Sequence, residues 1–293
     1  MQFFTRNNLF ACASTSLFVL LWSSGAIVSK WGLAHASPFA FLLVRFVIAL
    51  LTLAILARVL PLRLPTTAMA RGYAVATGLV LLGAYQIFYL LALDLQVTPG
   101  VMATLLGVQP ILTAVLLEKR PSPSRLFGLC LGLLGLVLVV YQNIGLAGLS
   151  WTGTLCGLLA LASMTGGSIM QKRMHDNPLG SLPLQYLAGT LLCALFVPFQ
   201  PFRIEASLDF WVPVLWMGLL ISVLATLLLY RLIARGNLVN VTSLFYLVPA
   251  VTALLDYLVF GNRLAALSLT GMGLIVAGLL FVFRQPRAVV STG

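Results

Sequence analysis

The feature that most constrains this chain is a succession of long apolar runs, near residues 9–30, 38–58, 72–93, 98–117, 125–142, 151–171, 182–199, 211–233, 239–260 and 266–283. About 20 apolar residues in a helix cross the hydrocarbon layer of a bilayer. Only helices and closed barrels satisfy their backbone there, and these runs are continuously apolar rather than alternating, so they are read as helices. The chain is 61% hydrophobic and 8% charged, whereas soluble domains carry about a quarter charged residues. A soluble globule is excluded, and the expected fold is an all-α integral membrane protein with ten transmembrane helices.

The net charge of +11 would suggest nucleic acid in a soluble chain, but here the basic residues fall between apolar runs. The lipid bilayer is the expected partner, and nucleic acid is not. If the spans alternate sides with the N-terminus inside, thirteen Lys and Arg lie at the inner ends and three (Lys30, Arg203, Arg263) at the outer, with Arg45 inside a span. The positive-inside rule then places both termini in the cytoplasm. Leu9-Phe10-Ala11-Cys12 loosely resembles a lipoprotein cleavage site, but the apolar run follows this cysteine, so the first segment reads as a retained helix. Four cysteines stand far apart within apolar runs and His35 and His175 are isolated, so neither a disulfide frame, a metal site nor a cofactor is expected.

The chain also repeats itself. The segment from Trp22 to Lys30 matches Met164 to Lys172 at an offset of 142, Pro110-Ile-Leu-Thr-Ala matches Pro249-Ala-Val-Thr-Ala at 139, and Gly128 and Gly135 match Gly271 and Gly278 at 143. Two units follow, 1–145 and 146–293. Each holds five helices, an odd number, so the second enters the membrane from the opposite face. Inverted repeats of this kind serve alternating access in secondary transporters, with the substrate between them near the midplane.

Leu21-Trp22-Ser23-Ser24, Ser37-Pro38 followed by Arg45-Phe46, Pro110 and Pro249, Glu118 before Arg120, and the glycines of the fifth and tenth helices form an ordered set. By these marks the chain resembles the EamA-type members of the drug/metabolite transporter superfamily, ten-helix exporters of the bacterial inner membrane, and in particular the YddG-like amino-acid exporters. Asn262-Arg263 departs from the family's Glu-Arg, and Leu187 stands where a counterpart of Arg45 would be. The resemblance implies an inner-membrane, multi-pass protein that exports small metabolites, amino acids foremost.

Polar side chains inside spans are costly unless they face protein or a water-filled path. The candidates for substrate binding are Trp22 and Ser24; Tyr85, Gln86 and Tyr89; Thr104 and Gln109; Ser163; Thr226 and Tyr230; and Thr242, Ser243 and Tyr246, with Ser23, Thr165, Ser168 and Ser222 beside them. The resemblance places their helices, the first, third, fourth, sixth, eighth and ninth, around a central cavity. The alternative is that Ser and Thr bond to their own helices and Tyr anchors at the interface. The neutral, aromatic set suits a neutral or zwitterionic small molecule better than a polyanion.

Pro110 and Pro249 each remove a backbone hydrogen bond and are expected to bend their helices, passively or as part of the transport path. Lys30 with Asp256 at the outer end, and Lys172 with Glu118 at the inner end, are placed to form gating pairs, the alternative being lysines that snorkel and carboxylates in water. Arg45 is expected to be structural, reaching the interface, helix-end carbonyls or Asp94. Gly128-Leu-Cys-Leu-Gly132 serves close packing, within the bundle or in a homodimer. Six acidic residues, lone histidines and the absence of GxSxG or HExxH leave no enzyme. A channel, passive facilitator or drug-type efflux protein is the alternative to a metabolite exporter.

Overall fold

The computed structural model describes residues 6–59, 64–95, 97, 99–118, 121–141, 150–174, 178–260 and 266–283. Helices there occupy α1 (Arg6–Leu33), α2 (Pro38–Val59), α3 (Ala68–Asp94), α4 (Pro99–Leu106 continued by Gln109–Leu117), α5 (Pro123–Val140), α6 (Trp151–Arg173), α7 (Pro178–Phe196), α8 (Leu208–Arg235), α9 (Leu238 to Phe260) and α10 (Ala266–Phe283). Among the described residues nine helices are long and apolar enough to cross a membrane, and the tenth apolar helix, Val101–Leu117, is shorter. The junction at 145/146 lies outside the described residues. Polar side chains start several helices where four backbone N–H groups need acceptors: Thr67, Ser122, Ser150 and Asn237 cap α3, α5, α6 and α9.

Inversion of the two units is visible in how α5 meets α10. A Cβ on Gly128 would lie 2.6 Å from the Gly278 carbonyl oxygen, and one on Gly278 would lie 2.6 Å from that of Gly128. Gly135 and Gly271 stand in the same reciprocal relation at 2.5 Å. Since Gly128 and Gly135 correspond to Gly271 and Gly278, equivalent helices run antiparallel across a pseudo-two-fold axis. The other contacts come in matching sets: α1 on α9 as α6 on α4, α1 on α8 as α6 on α3, and α2 on α8 as α7 on α3.

The same symmetry governs the irregularities. α3 widens into a π-helical stretch at Leu79–Ala84 and α8 at Trp216–Ala225. α4 breaks at Gly107-Val108, just before Gln109-Pro110, and α9 tightens to a 3₁₀ turn at Leu244–Tyr246, just before Leu247-Val248-Pro249. The missing N–H of each proline and the clash of its ring with the preceding turn account for both interruptions.

Candidate functional site

A narrow cavity lies where the two repeats meet, lined among others by Trp22, Arg45, Phe46, Tyr85, Gln86, Ser168, Tyr186, Thr226 and Tyr230. Five of the expected binding residues, Trp22, Tyr85, Gln86, Thr226 and Tyr230, are brought together there. The walls come from α1, α2, α3, α6, α7 and α8, so α2 and α7 replace α4 and α9 of the sequence reading.

The π-helical stretch of α8 organises one wall. Its wider turns make carbonyls reachable from the side: Ile221 O accepts Thr226 Oγ1 at 3.0 Å, and Ser222 O accepts the Tyr186 hydroxyl at 2.6 Å. The Ser222 hydroxyl in turn accepts Arg45 Nε at 2.8 Å. Arg45 is buried. Among the described residues its hydrogen bond goes to Ser222, and not to the helix-end carbonyls or Asp94 that the sequence reading offered; Gly218 lets α8 approach its backbone, a Cβ there lying 3.3 Å from Arg45 O. Below it a buried polar chain crosses three helices: Tyr230 OH donates to Gln185 Oε1 at 2.6 Å, and Gln185 Nε2 to Gln171 Oε1 at 2.8 Å. α7 meets α3 at Gly78, where a side chain would strike the Gln185 backbone.

Gln109 is fully buried beside the cavity and donates from Nε2 to Ser168 Oγ at 3.2 Å, while among the described residues its Oε1 and the Thr165 hydroxyl have no partner. The matching seam differs. Ser23, the counterpart of Thr165, shares its hydroxyl proton between Val19 O of its own helix at 2.7 Å and Val248 O of α9 at 3.2 Å, and Thr252 donates to Ser23 O at 3.1 Å. On α4, Thr113, the counterpart of Thr252, turns back to Gln109 O of its own helix at 2.8 Å. Thus Thr252 bonds across from α9 to α1, whereas α4 reaches α6 through Gln109 and Ser168 and its Thr113 stays on its own helix.

The remaining expected residues stand elsewhere. Thr242 and Ser243 bond to carbonyls of their own helix. Tyr246 donates to Leu129 O at 3.2 Å and fills the space over Gly132, so it is a packing knob against α5. The Tyr89 ring lies tilted at 49° against that of Tyr85, centroids 6.0 Å apart, and both pack against the core. Ser24 accepts from Trp216 Nε1 at 3.0 Å, and Thr104 and Ser163 are half-buried outside the cavity lining. The expected pairing of Glu118 with Lys172 is not made. Arg125 Nη1, seven residues along the chain, takes Glu118 Oε1 at 2.6 Å, and Lys172 Nζ donates to the α8 C-terminal carbonyls of Ala234 and Gly236 at 3.0 and 2.8 Å. Those oxygens lack helix partners and sit at the negative end of the helix dipole. The side chains of Lys30 and Asp256 lie outside the described residues.

Sequence reasoning missed Tyr186, Gln185 and Gln171. The signal was present: Gln185-Tyr186 is a polar pair inside an apolar run.

The profile of the EamA-like transporter family matches this chain twice, at residues 9–141 and 151–284. A probable amino-acid metabolite efflux pump of Salmonella typhimurium is 24% identical over 301 residues, covering 94% of this chain and 97% of its own. The uncharacterized transporter YvbV of Bacillus subtilis is 24% identical over 284 residues, covering 93% of this chain and 91% of its own. An uncharacterized transporter of Archaeoglobus fulgidus is 22% identical over 277 residues, covering 92% and 97%. One solved crystal structure, at 22% identity, shares the fold with a TM-score of 0.78 over 92% of this chain and 95% of that one.

Proposed function

The chain belongs to the EamA-like transporter family, and from that premise we propose that it exports small neutral or zwitterionic metabolites, amino acids foremost, by alternating access between its two inverted repeats. The observation that carries this reading is the cavity at the repeat interface, walled by Trp22, Tyr85, Gln86, Tyr186 and Tyr230. Aromatic faces there take an apolar side chain, and the hydroxyls and amide take its polar end. The unequal seams, Thr252 of α9 bonding across to α1 while its counterpart Thr113 of α4 bonds to its own helix, support two repeats held in different conformations that exchange during transport. The thirteen basic residues at one end support termini that face the cytoplasm of a bacterial inner membrane. The name of the Salmonella relative supports amino-acid metabolites and the outward direction.

The test is uptake of radiolabelled amino acids by liposomes containing the purified protein, with and without an imposed pH gradient. Saturable uptake of aromatic or branched amino acids is expected, reduced at least tenfold in a Tyr85→Ala protein of unchanged melting temperature. Background uptake of every amino acid would overturn the amino-acid reading. Uptake without saturation would mark a passive path in place of alternating access.

A further inference from the structure

We propose that Arg45 is the receptor for the carboxylate of a zwitterionic substrate, so that the cavity selects amino acids, and simple carboxylates as their analogues, over the matching amides and amines; this rests on the transport reading above. Arg45 is 8% exposed and lines the cavity from α2. It lies seven residues beyond Pro38, ~10 Å along the helix, and its side chain bonds to Ser222 of α8. Among the described residues no carboxylate lies within 4.0 Å of its guanidinium. Glu118 is engaged by Arg125, Glu205 by His35 and Arg203, and Asp209 by Trp31 Nε1. The cavity wall around Arg45 is neutral throughout, with Trp22, Tyr85, Gln86, Ser168, Tyr186, Thr226 and Tyr230.

A buried cation in a membrane protein is expensive, and such residues pair with an opposite charge or mark a substrate path. Among the described residues no opposite charge pairs with it. The guanidinium carries five N–H donors in a planar fork. Nε is committed to Ser222 Oγ, which fixes the plane, and among the described residues neither Nη group makes a hydrogen bond. That leaves a rigid pair of donors on the cavity side, the geometry that carboxylates accept in bidentate fashion. A single charge suits one carboxylate. A neutral amide would forgo the charge-assisted bonds, and an amine would meet like charge.

The experiment uses the full-length protein and two matched pairs, phenylalanine with phenylalaninamide and 3-phenylpropionate with 3-phenylpropionamide. Binding is read as thermal stabilisation in detergent, and transport as competition with labelled phenylalanine in proteoliposomes. Each acid is expected to bind at least tenfold more tightly than its amide. Arg45→Gln should abolish this preference, and Arg45→Lys, which keeps the charge but not the fork, should retain part of it. The comparison of acid with amide on the unaltered protein needs no variant to fold. Equal binding of acid and amide, binding of neither, or an acid preference that survives Arg45→Gln would overturn the carboxylate site. Acids that bind with tenfold preference yet are not transported would keep the site and overturn the transport reading.

Discussion

Gly135→Ile and Gly271→Ile are each expected to abolish recovery of monodisperse protein, whereas Gly273→Ile on the same helix leaves it unchanged. The α5–α10 contact has no room at the first two positions. A Cβ on Gly135 would lie 2.5 Å from Gly271 O and 2.8 Å from Ile275 N, and one on Gly271 would lie 2.5 Å from Gly135 O and 2.9 Å from Val139 N. These neighbours are backbone, so no rotamer change relieves the clash and the helices must part. Overpacking at a single core site costs about 1–3 kcal/mol. Here parting also loosens the dispersion contacts along both helices and the matching Gly128–Gly278 approach, which places Gly135→Ile above that range. Gly273 has no atom within 4 Å of an added Cβ. Fluorescence-detected size exclusion and the apparent melting temperature read the result. A Gly135→Ala protein as stable as Gly273→Ala would sink the argument for reciprocal contact.

The glycines also show how much of the fold was legible. Their offset of 143, with five spans to a unit, was enough for an inverted repeat, and the antiparallel contacts bear it out. The spans were legible because hydrocarbon imposes one length and one pattern on every helix. The interior was less so. Tyr246 has the composition of a site residue and the job of a packing knob, a distinction that depends on Gly132 of another helix lying opposite. Thr242 and Ser243 look polar in sequence but spend their hydroxyls on their own turns. The partner of Arg45 was not legible, because its sequence neighbours offer helix ends and Asp94, whereas Ser222 comes from the π-helical stretch of α8, 177 residues away. No period or propensity announces a π-helical stretch. The gating lysine was placed at the right end of the right helix, but helix-end carbonyls compete for it and the shorter path to Glu118 belongs to Arg125.

That competition carries the second large effect. Arg125→Gln is expected to lower the apparent melting temperature by about 4–8 °C, since a domain of this size shifts about 2–4 °C per kcal/mol and roughly 2 kcal/mol is lost with the pair. Arg125 joins the end of α4 to the start of α9: Nη1 holds Glu118 Oε1 at 2.6 Å, and Nη2 reaches Asn237 Oδ1 at 3.2 Å and Asn240 Oδ1. The two charged side chains are 18% and 19% exposed, so Glu118 left alone would be a half-desolvated carboxylate without a partner. Glu118→Gln should cost less, because Arg125 keeps both asparagines, and the double variant should cost less than the sum of the two singles. If this end of the bundle opens during transport, the α4–α9 clamp must break in each cycle. A cysteine at Leu238, buried beside the clamp, should then react with an impermeant maleimide about tenfold faster in Arg125→Gln, in a background lacking the native cysteines. Arg235→Gln, which removes an exposed charge at the same end, should leave the rate unchanged. Equal rates in the two variants would show that the clamp fastens helices that never part, and that access at this end is controlled elsewhere.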